Sequence, residues 1–333
     1  MQDFQHLRTR RGLLAAALSA IALAGGAPSA GAQGDQWPTR PIRLVVNFPP
    51  GSSPDVLARA ISLPLQQALG QPVIVDNRAG ASGMIGADLV AKSAADGYTL
   101  LMTAGSTITT NPFIYPKIAY DTEKDLVPVA AAARIALFLV VRPDLPVNNL
   151  KEFIAYLKAH PGKLSYGSAG NATGLHLAGE MLKSQAGVFA VHVPYKGASP
   201  ALQDLLAGQI DFLFDPGIAL QQVRAGKLKM LGVAVAKRSS AFPDLPTLAE
   251  AGLKGFDAGT THGFYAPAGT PPEVVARLNR EINRMLALPA VRTQIATIGA
   301  EPTPLTSAQF AAVMADDSRR YGAVIRERGI KAD

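Results

Sequence analysis

The sequence predicts an α/β protein of two domains facing each other across a cleft. Three observations carry that expectation. Short apolar runs alternate with segments of helical spacing along the whole chain, the pattern of parallel sheets with crossover helices. The 333 residues, 48% of them hydrophobic, suffice for two cores. Two strand-to-helix junctions rich in Gly, Ser, Pro and Ala, one in each half, have the composition of loops that let a ligand approach the backbone closely.

In chain order, the first strand is the apolar run at 42–46, and Asn-Phe-Pro-Pro-Gly-Ser-Ser-Pro-Asp at 47–55 joins it to a helix. Ser53 reads as the N-cap and Pro54 as the first helical position, where a missing N–H costs nothing. Runs at 73–75, 98–102 and 137–141 are the next strands. Asn149 with Glu152 forms a capping box ahead of Phe153, Ile154 and Leu157, and Pro161-Gly162 follows the helix end. A short strand at 163–166 runs into Gly-Ser-Ala-Gly-Asn-Ala-Thr-Gly at 167–174, then a helix bearing Leu175, Leu177, Ala178, Met181 and Leu182. Ser199-Pro200 opens the Leu202, Leu205, Leu206 stripe that Gly208 stops, strands follow at 211–214 and 230–235, and Thr247 with Glu250 opens a short helix closed by Gly252. After Pro271-Pro272, the residues Val274, Leu278, Ile282 and Met285 share one helix face. No flexible linker divides the chain, so the domains are expected to be joined by more than one crossing. Residues 33–134 and 236–333 would form a discontinuous first domain, and 135–235 the second.

Residues 1–32 read as a secretory signal. Arg8, Arg10 and Arg11 precede an uncharged, mostly apolar run at 12–24, and Ala30-Gly31-Ala32 supplies a cleavage site. The run is shorter than the ~20 residues that span a bilayer. Arg10-Arg11 followed by Gly-Leu-Leu leaves Sec and twin-arginine export both open. A periplasmic mature chain from about Gln33 is expected, and with no cysteine it has neither a disulfide framework nor a lipid anchor. The leader accounts for +2 of the formal charge of +7 (three Arg against Asp3), leaving +5. Spread so thinly, that charge gives no nucleic-acid footprint, but it suits small anions.

Both junctions share one chemistry. A helix N-terminus leaves its first N–H groups unpaired and carries partial positive charge, so a carboxylate or phosphate placed there satisfies both. Asp55, in the first helical turn, is either a structural carboxylate favoured by the dipole or a ligand contact. His176, one turn into its helix, reads first as a packing residue. Asp215 follows Phe212-Leu213-Phe214 at a strand's carboxyl end, where function gathers in open α/β sheets. Ser168 and Thr173 are caps or ligand contacts, and either role puts them beside the site. His192 and His262 read as structural.

The ordered series of motifs resembles one family. Trp37-Pro38-x-Arg40-Pro41-Ile42, Phe48-Pro49-Pro50-Gly51 and Asp55-Val56-Leu57-Ala58-Arg59 are followed by Asp76-Asn77-Arg78-Ala79-Gly80-Ala81-Ser82-Gly83-Met84-Ile85-Gly86 and Asp96-Gly97-Tyr98. Then come the loop from Ser168 to His176, Val193-Pro194-Tyr195-Lys196-Gly197 and Ala266-Pro267-Ala268-Gly269-Thr270-Pro271. Order and spacing are similar to the Bug-type solute receptors of tripartite tricarboxylate transporters, from Trp37 to about Phe310. The resemblance implies a type II periplasmic-binding-protein fold whose two α/β domains close by a hinge on a small organic carboxylate, then a hand-over to integral-membrane transporter subunits. It implies ligand contacts at Phe48, Pro50, Gly51, Ser52, Ser53 and Asp55, with Ser82, Thr103 and Ser106 beside them. From the second domain it implies Ser168, Gly170, Asn171, Ala172, Thr173, His176, Lys196 and Asp215. Two departures bear on the ligand. Ser52 stands where the family usually has a second glycine, and Thr260-Thr261-His262 lacks the tryptophan usual before Gly263.

Enzyme chemistry finds little support. Ser168 and His176 could be drawn as a triad with Asp55 or Asp215, but the spacing Gly-x-Ser-x-Gly is not met. Gly80 to Gly86 lacks the dinucleotide spacing, no Walker lysine follows a glycine-rich loop, and no His-Glu-x-x-His or cysteine cluster could hold a metal. No catalytic residue, metal or cofactor is expected, and a hinged receptor is expected to be a monomer. The alternatives are a sensor that presents its closed form to a signalling partner and, more distantly, a periplasmic hydrolase.

Overall fold

The computed structural model describes residues 37–239 and 242–331, so the leader and its cleavage site lie outside the described residues. Among the described residues, eleven strands form two sheets. The six-stranded sheet orders β11 (Glu301–Pro302), β4 (Leu126–Ile135), β10 (Thr260–Pro267), β3 (Thr99–Thr103), β1 (Ile42–Val46) and β2 (Val73–Asn77). The five-stranded sheet orders β7 (Val191–Pro194), β6 (Ser165–Ser168), β8 (Phe212–Asp215), β5 (Phe138–Val141) and β9 (Lys229–Val233).

The expected strands form within two residues of their predicted ends, and β4, β7, β10 and β11 are additions. Ala130 to Ala133 in β4 resemble helix, but here every one of them is fully buried between β10 and the covering helices, and propensity yields to packing. The sheets are mixed, not parallel as the alternation implied. β10 runs antiparallel to both β3 and β4, and β5 antiparallel to both β8 and β9. The cause is the path of the chain. It leaves the first sheet after Ile135, enters the second at Phe138, and returns from Val233 to Thr260, so β5 and β10 enter their sheets from the other lobe without a crossover helix. Of the segment between, Leu248, Leu253, Phe256 and Ala258 join the core of the second lobe.

Local punctuation worked much as physics requires. Asn149 Oδ1 accepts from the Glu152 N–H at 2.9 Å and Glu152 returns a carboxylate to the Asn148 N–H. Thr247 and Glu250 make the same exchange around a turn instead of the expected helix. The helix Ser53–Leu69 is capped by Ser52, not Ser53, which shifts Pro54 to its second position.

Each lobe has its own buried side chains, Val45, Leu101, Tyr265 and Phe310 in the first and Phe138, Phe153, Tyr166 and Phe212 in the second. At about 1.5–3 kcal/mol for each fully buried large side chain, these cores keep the carboxyl ends of β1, β3, β6 and β8 rigid enough to present loops.

Candidate functional site

At those carboxyl ends lies a partly open cavity of ≈ 30 Å³, room for about two water-sized spheres. The first lobe lines it with Phe48, Ser52, Ser53, Pro54, Ala104 and Ser106, joined by Thr260 and His262 of β10. The second lobe adds Ala169, Thr173, Gly174, Leu175, Ala198 and Pro216, with Leu137 from the crossing. No Asp, Glu, Lys or Arg among the described residues lines it. What it has instead are two helix N-termini, one from each lobe: the caps Ser52 of Ser53–Leu69 and Thr173 of Gly174–Ala186 both border it. Neither cap hydroxyl bonds its own helix. Ser52 Oγ donates back to the Pro49 carbonyl and Thr173 Oγ1 to that of Gly170, both at 2.7 Å. Neither hydroxyl therefore competes for its helix's first N–H groups.

Five of the expected residues, Phe48, Ser52, Ser53, Ser106 and Thr173, reach this wall. Others latch the lobes above it. Ser82 Oγ donates to the Asn171 carbonyl at 2.5 Å, Tyr115 Oη donates to the same oxygen at 3.0 Å, and Thr110 donates to the Ala172 carbonyl. The Pro50 carbonyl accepts from Ser199 Oγ at 3.3 Å. Gly170, at φ +119°, comes so close to Ser82 that a Cβ there would sit 2.7 Å from its Oγ. Ser82 and Ala172 themselves hold left-handed backbone, φ 54° and 66°, a cost that a segment fixed by its partners can carry.

A third group supports the loops from behind. Asp55 accepts from the Gly51 N–H and Asn77 Nδ2, each at 2.9 Å, and from Arg59 Nε at 3.0 Å, so it clamps the 48–55 loop. Burial opposes its ionisation, but Arg59, Gly51 and Asn77 outweigh burial and hold its carboxyl below the ordinary value of 3.8. Thr103 is buried and donates to the Ala104 carbonyl. Ser168 Oγ lies 2.7 Å from His192 Nε2 and takes the Gly170 N–H, while His176 stacks on His192 with ring centroids 4.2 Å apart and accepts the Ala172 N–H. Asp215 is wholly buried and accepts the Gly217 and Ala219 N–H groups, next to the lining Pro216, and burial pushes its carboxyl up to about 7. Lys196 is exposed and does not reach the wall.

Thr260 and His262 were not expected in the wall. Strand β10 is antiparallel to β3, so its first residues fall beside the carboxyl end of β3, a placement readable only once the sheet order is known. His262 Nε2 is 3.0 Å from Ser53 Oγ, the Gly105 N–H points at its Nδ1 at 3.4 Å, and burial drives its pKa down to about 3. Ser52, a possible ligand donor by its hydroxyl, spends that hydroxyl on its own turn.

Residues 57–330 match the family described as tripartite tricarboxylate transporter family receptor. The chain is similar to the protein BugT of Bordetella pertussis, 41% identical over 314 residues that cover 93% of this chain and 95% of that one. Among solved structures it is similar to Rpa4515 of R. palustris with adipate, at 36% identity and TM-score 0.86, covering 88% of this chain and 99% of that one. It is also similar to MatC of Rhodopseudomonas palustris with bound malate, at 34% identity and TM-score 0.83, covering 87% and 100%.

Proposed function

The chain belongs to the receptor family of tripartite tricarboxylate transporters, a family of periplasmic solute-binding receptors and not of enzymes, and from that premise we propose that it binds a small organic carboxylate between its lobes and delivers it to a membrane transporter. One observation carries the carboxylate: two helix N-termini from opposite lobes border one cavity that no charged side chain among the described residues lines. Adipate and malate, held by relatives, are both small diacids.

Binding begins with the lobes apart, since ≈ 30 Å³ admits no acid of four carbons or more. The acid first meets the N–H groups and hydroxyls of the 48–55 loop, and closure adds those of the 168–174 loop. Rotation is taken up at the two crossings, 135–138 and 258–260, and the latch from Ser82, Thr110 and Tyr115 to Asn171 and Ala172 marks the closed form that the transporter subunits recognise. The protein works as a periplasmic monomer, exported by a leader removed near Ala32.

The test is a thermal-shift screen of refolded, ligand-stripped protein against mono-, di- and tricarboxylates, amino acids and neutral sugars. At 100 times its dissociation constant an acid adds about 2.7 kcal/mol, a rise of several degrees. A selective shift by one class of acids is the expected result. Silence with every acid, or a response to sugars alone, overturns the reading.

A further inference from the structure

The His262 ring is 3% exposed and its two nitrogens have different neighbours. Gly105 brings a backbone N–H to Nδ1, and it can do so because it lacks a side chain: a Cβ there would lie 2.2 Å from Thr260 Oγ1 and 2.5 Å from the Thr261 carbonyl. A backbone N–H only donates, so Nδ1 is the acceptor of the ring. A neutral imidazole has one acceptor and one donor, so the proton is on Nε2, and Nε2 donates to Ser53 Oγ. A second proton, on Nδ1, would face the Gly105 N–H donor to donor. Ser53 therefore cannot give its own proton to His262, and among the described residues its hydroxyl has no other partner. Ser53 lines the cavity, so that O–H is free to turn into it. The neighbouring cap hydroxyls are spent, Ser52 on Pro49 and Thr173 on Gly170.

We propose that His262 is a positioning residue that fixes the hydrogen-bond polarity of the site: by donating to Ser53 Oγ it obliges the Ser53 hydroxyl to donate to the ligand. At that point the cavity accepts a carboxylate or carbonyl oxygen and rejects a group that can only donate, such as an ammonium. The inference rests on the carboxylate-receptor reading for the identity of the acceptor, and on geometry alone for the direction of the proton.

Two measurements separate these. With ¹⁵N-labelled histidine, long-range ¹H–¹⁵N correlation reads the ring tautomer directly, and His262→Phe assigns the signal. The expected result is a neutral ring protonated on Nε2 at pH 7 and still neutral at pH 5. A proton on Nδ1, or a ring that charges between those values, overturns the proposal. Titration calorimetry with adipate as probe then forms a cycle. His262→Phe is expected to weaken binding about tenfold or more in the native background, as loss of a bond to a charged acceptor does, and to change nothing further in Ser53→Ala. His262→Gln, whose amide N–H can reach the same oxygen, is expected to recover most of the loss. Equal loss in both backgrounds means that the ring acts through packing, and overturns the proposal. If the native protein ignores adipate and every other acid while the tautomer is as expected, the carboxylate reading falls and the orientation of Ser53 stands.

Discussion

Asp215→Asn is expected to raise the stability of the protein by about 2 kcal/mol at pH 8 and to give no gain at pH 4. Asp215 ends β8 with no exposure; one oxygen takes two backbone N–H bonds and the other, Oδ1, meets no donor among the described residues. Burial therefore raises its carboxyl to about 7. The sign follows. The folded state keeps a proton that the unfolded chain, with an ordinary value near 3.9, releases, so stability falls as pH climbs from about 4 to 7. The full span is about 4 kcal/mol once ionisation is complete. Asparagine keeps an acceptor for Gly217 and Ala219 and cannot ionise, while its amide donors lack partners at about 1–3 kcal/mol. Denaturant unfolding at both pH values decides it. A variant with the same stability difference at pH 4 and pH 8 shows that Asp215 is not the titrating group.

Asp55→Ala should act in the opposite sense. It strands the Gly51 N–H and one N–H of the Asn77 amide, whose other N–H keeps the Phe48 carbonyl, and Arg59 loses the carboxylate while keeping Asn77 Oδ1. Arg59 is half exposed and rehydrates, so the loss is assigned to the first two, about 2–4 kcal/mol at pH 7. Binding of any confirmed acid should fall with it, because the clamp fixes Gly51 at φ +77° and with it the approach to the first helix N-terminus. The native carboxyl lies below its unfolded value, so its contribution is complete above about pH 4 and disappears as acid titrates the folded group. Melting curves of native and variant protein should accordingly converge in acid. An unchanged melting temperature at pH 7, or undiminished affinity, rules out the clamp.

Much of this was legible in the order of residues. Pro49-Pro50-Gly51 punctuates a strand-to-helix loop unambiguously, and Gly167 to Gly174 does the same in the second half; each required only local chemistry. Local chemistry did not reach further. The alanines of β4 are strand because β10 lies beside them, and β10 is there because the chain has returned from the other lobe. His262 enters the wall through that same return, so a reading of its neighbours in sequence could only leave it structural. Hydroxyl direction is a finer case. Ser52 and Ser53 are equivalent in sequence, yet one is turned to Pro49 and the other held by a histidine 209 residues away.

Among the described residues the mostly apolar wall of the cavity carries a few hydroxyls and no ionised side chain, and this separates the speed of capture from its duration. A net-positive chain draws an anion over distances on which dissolved ions compete, ~8 Å at physiological ionic strength. After closure the retaining dipoles act over about 3 Å, inside a space that those ions do not enter. Added salt should therefore slow association and leave residence time unchanged. On the proposed function, the protein would gather cargo at a varying rate in surroundings of fluctuating salinity and keep each molecule equally long.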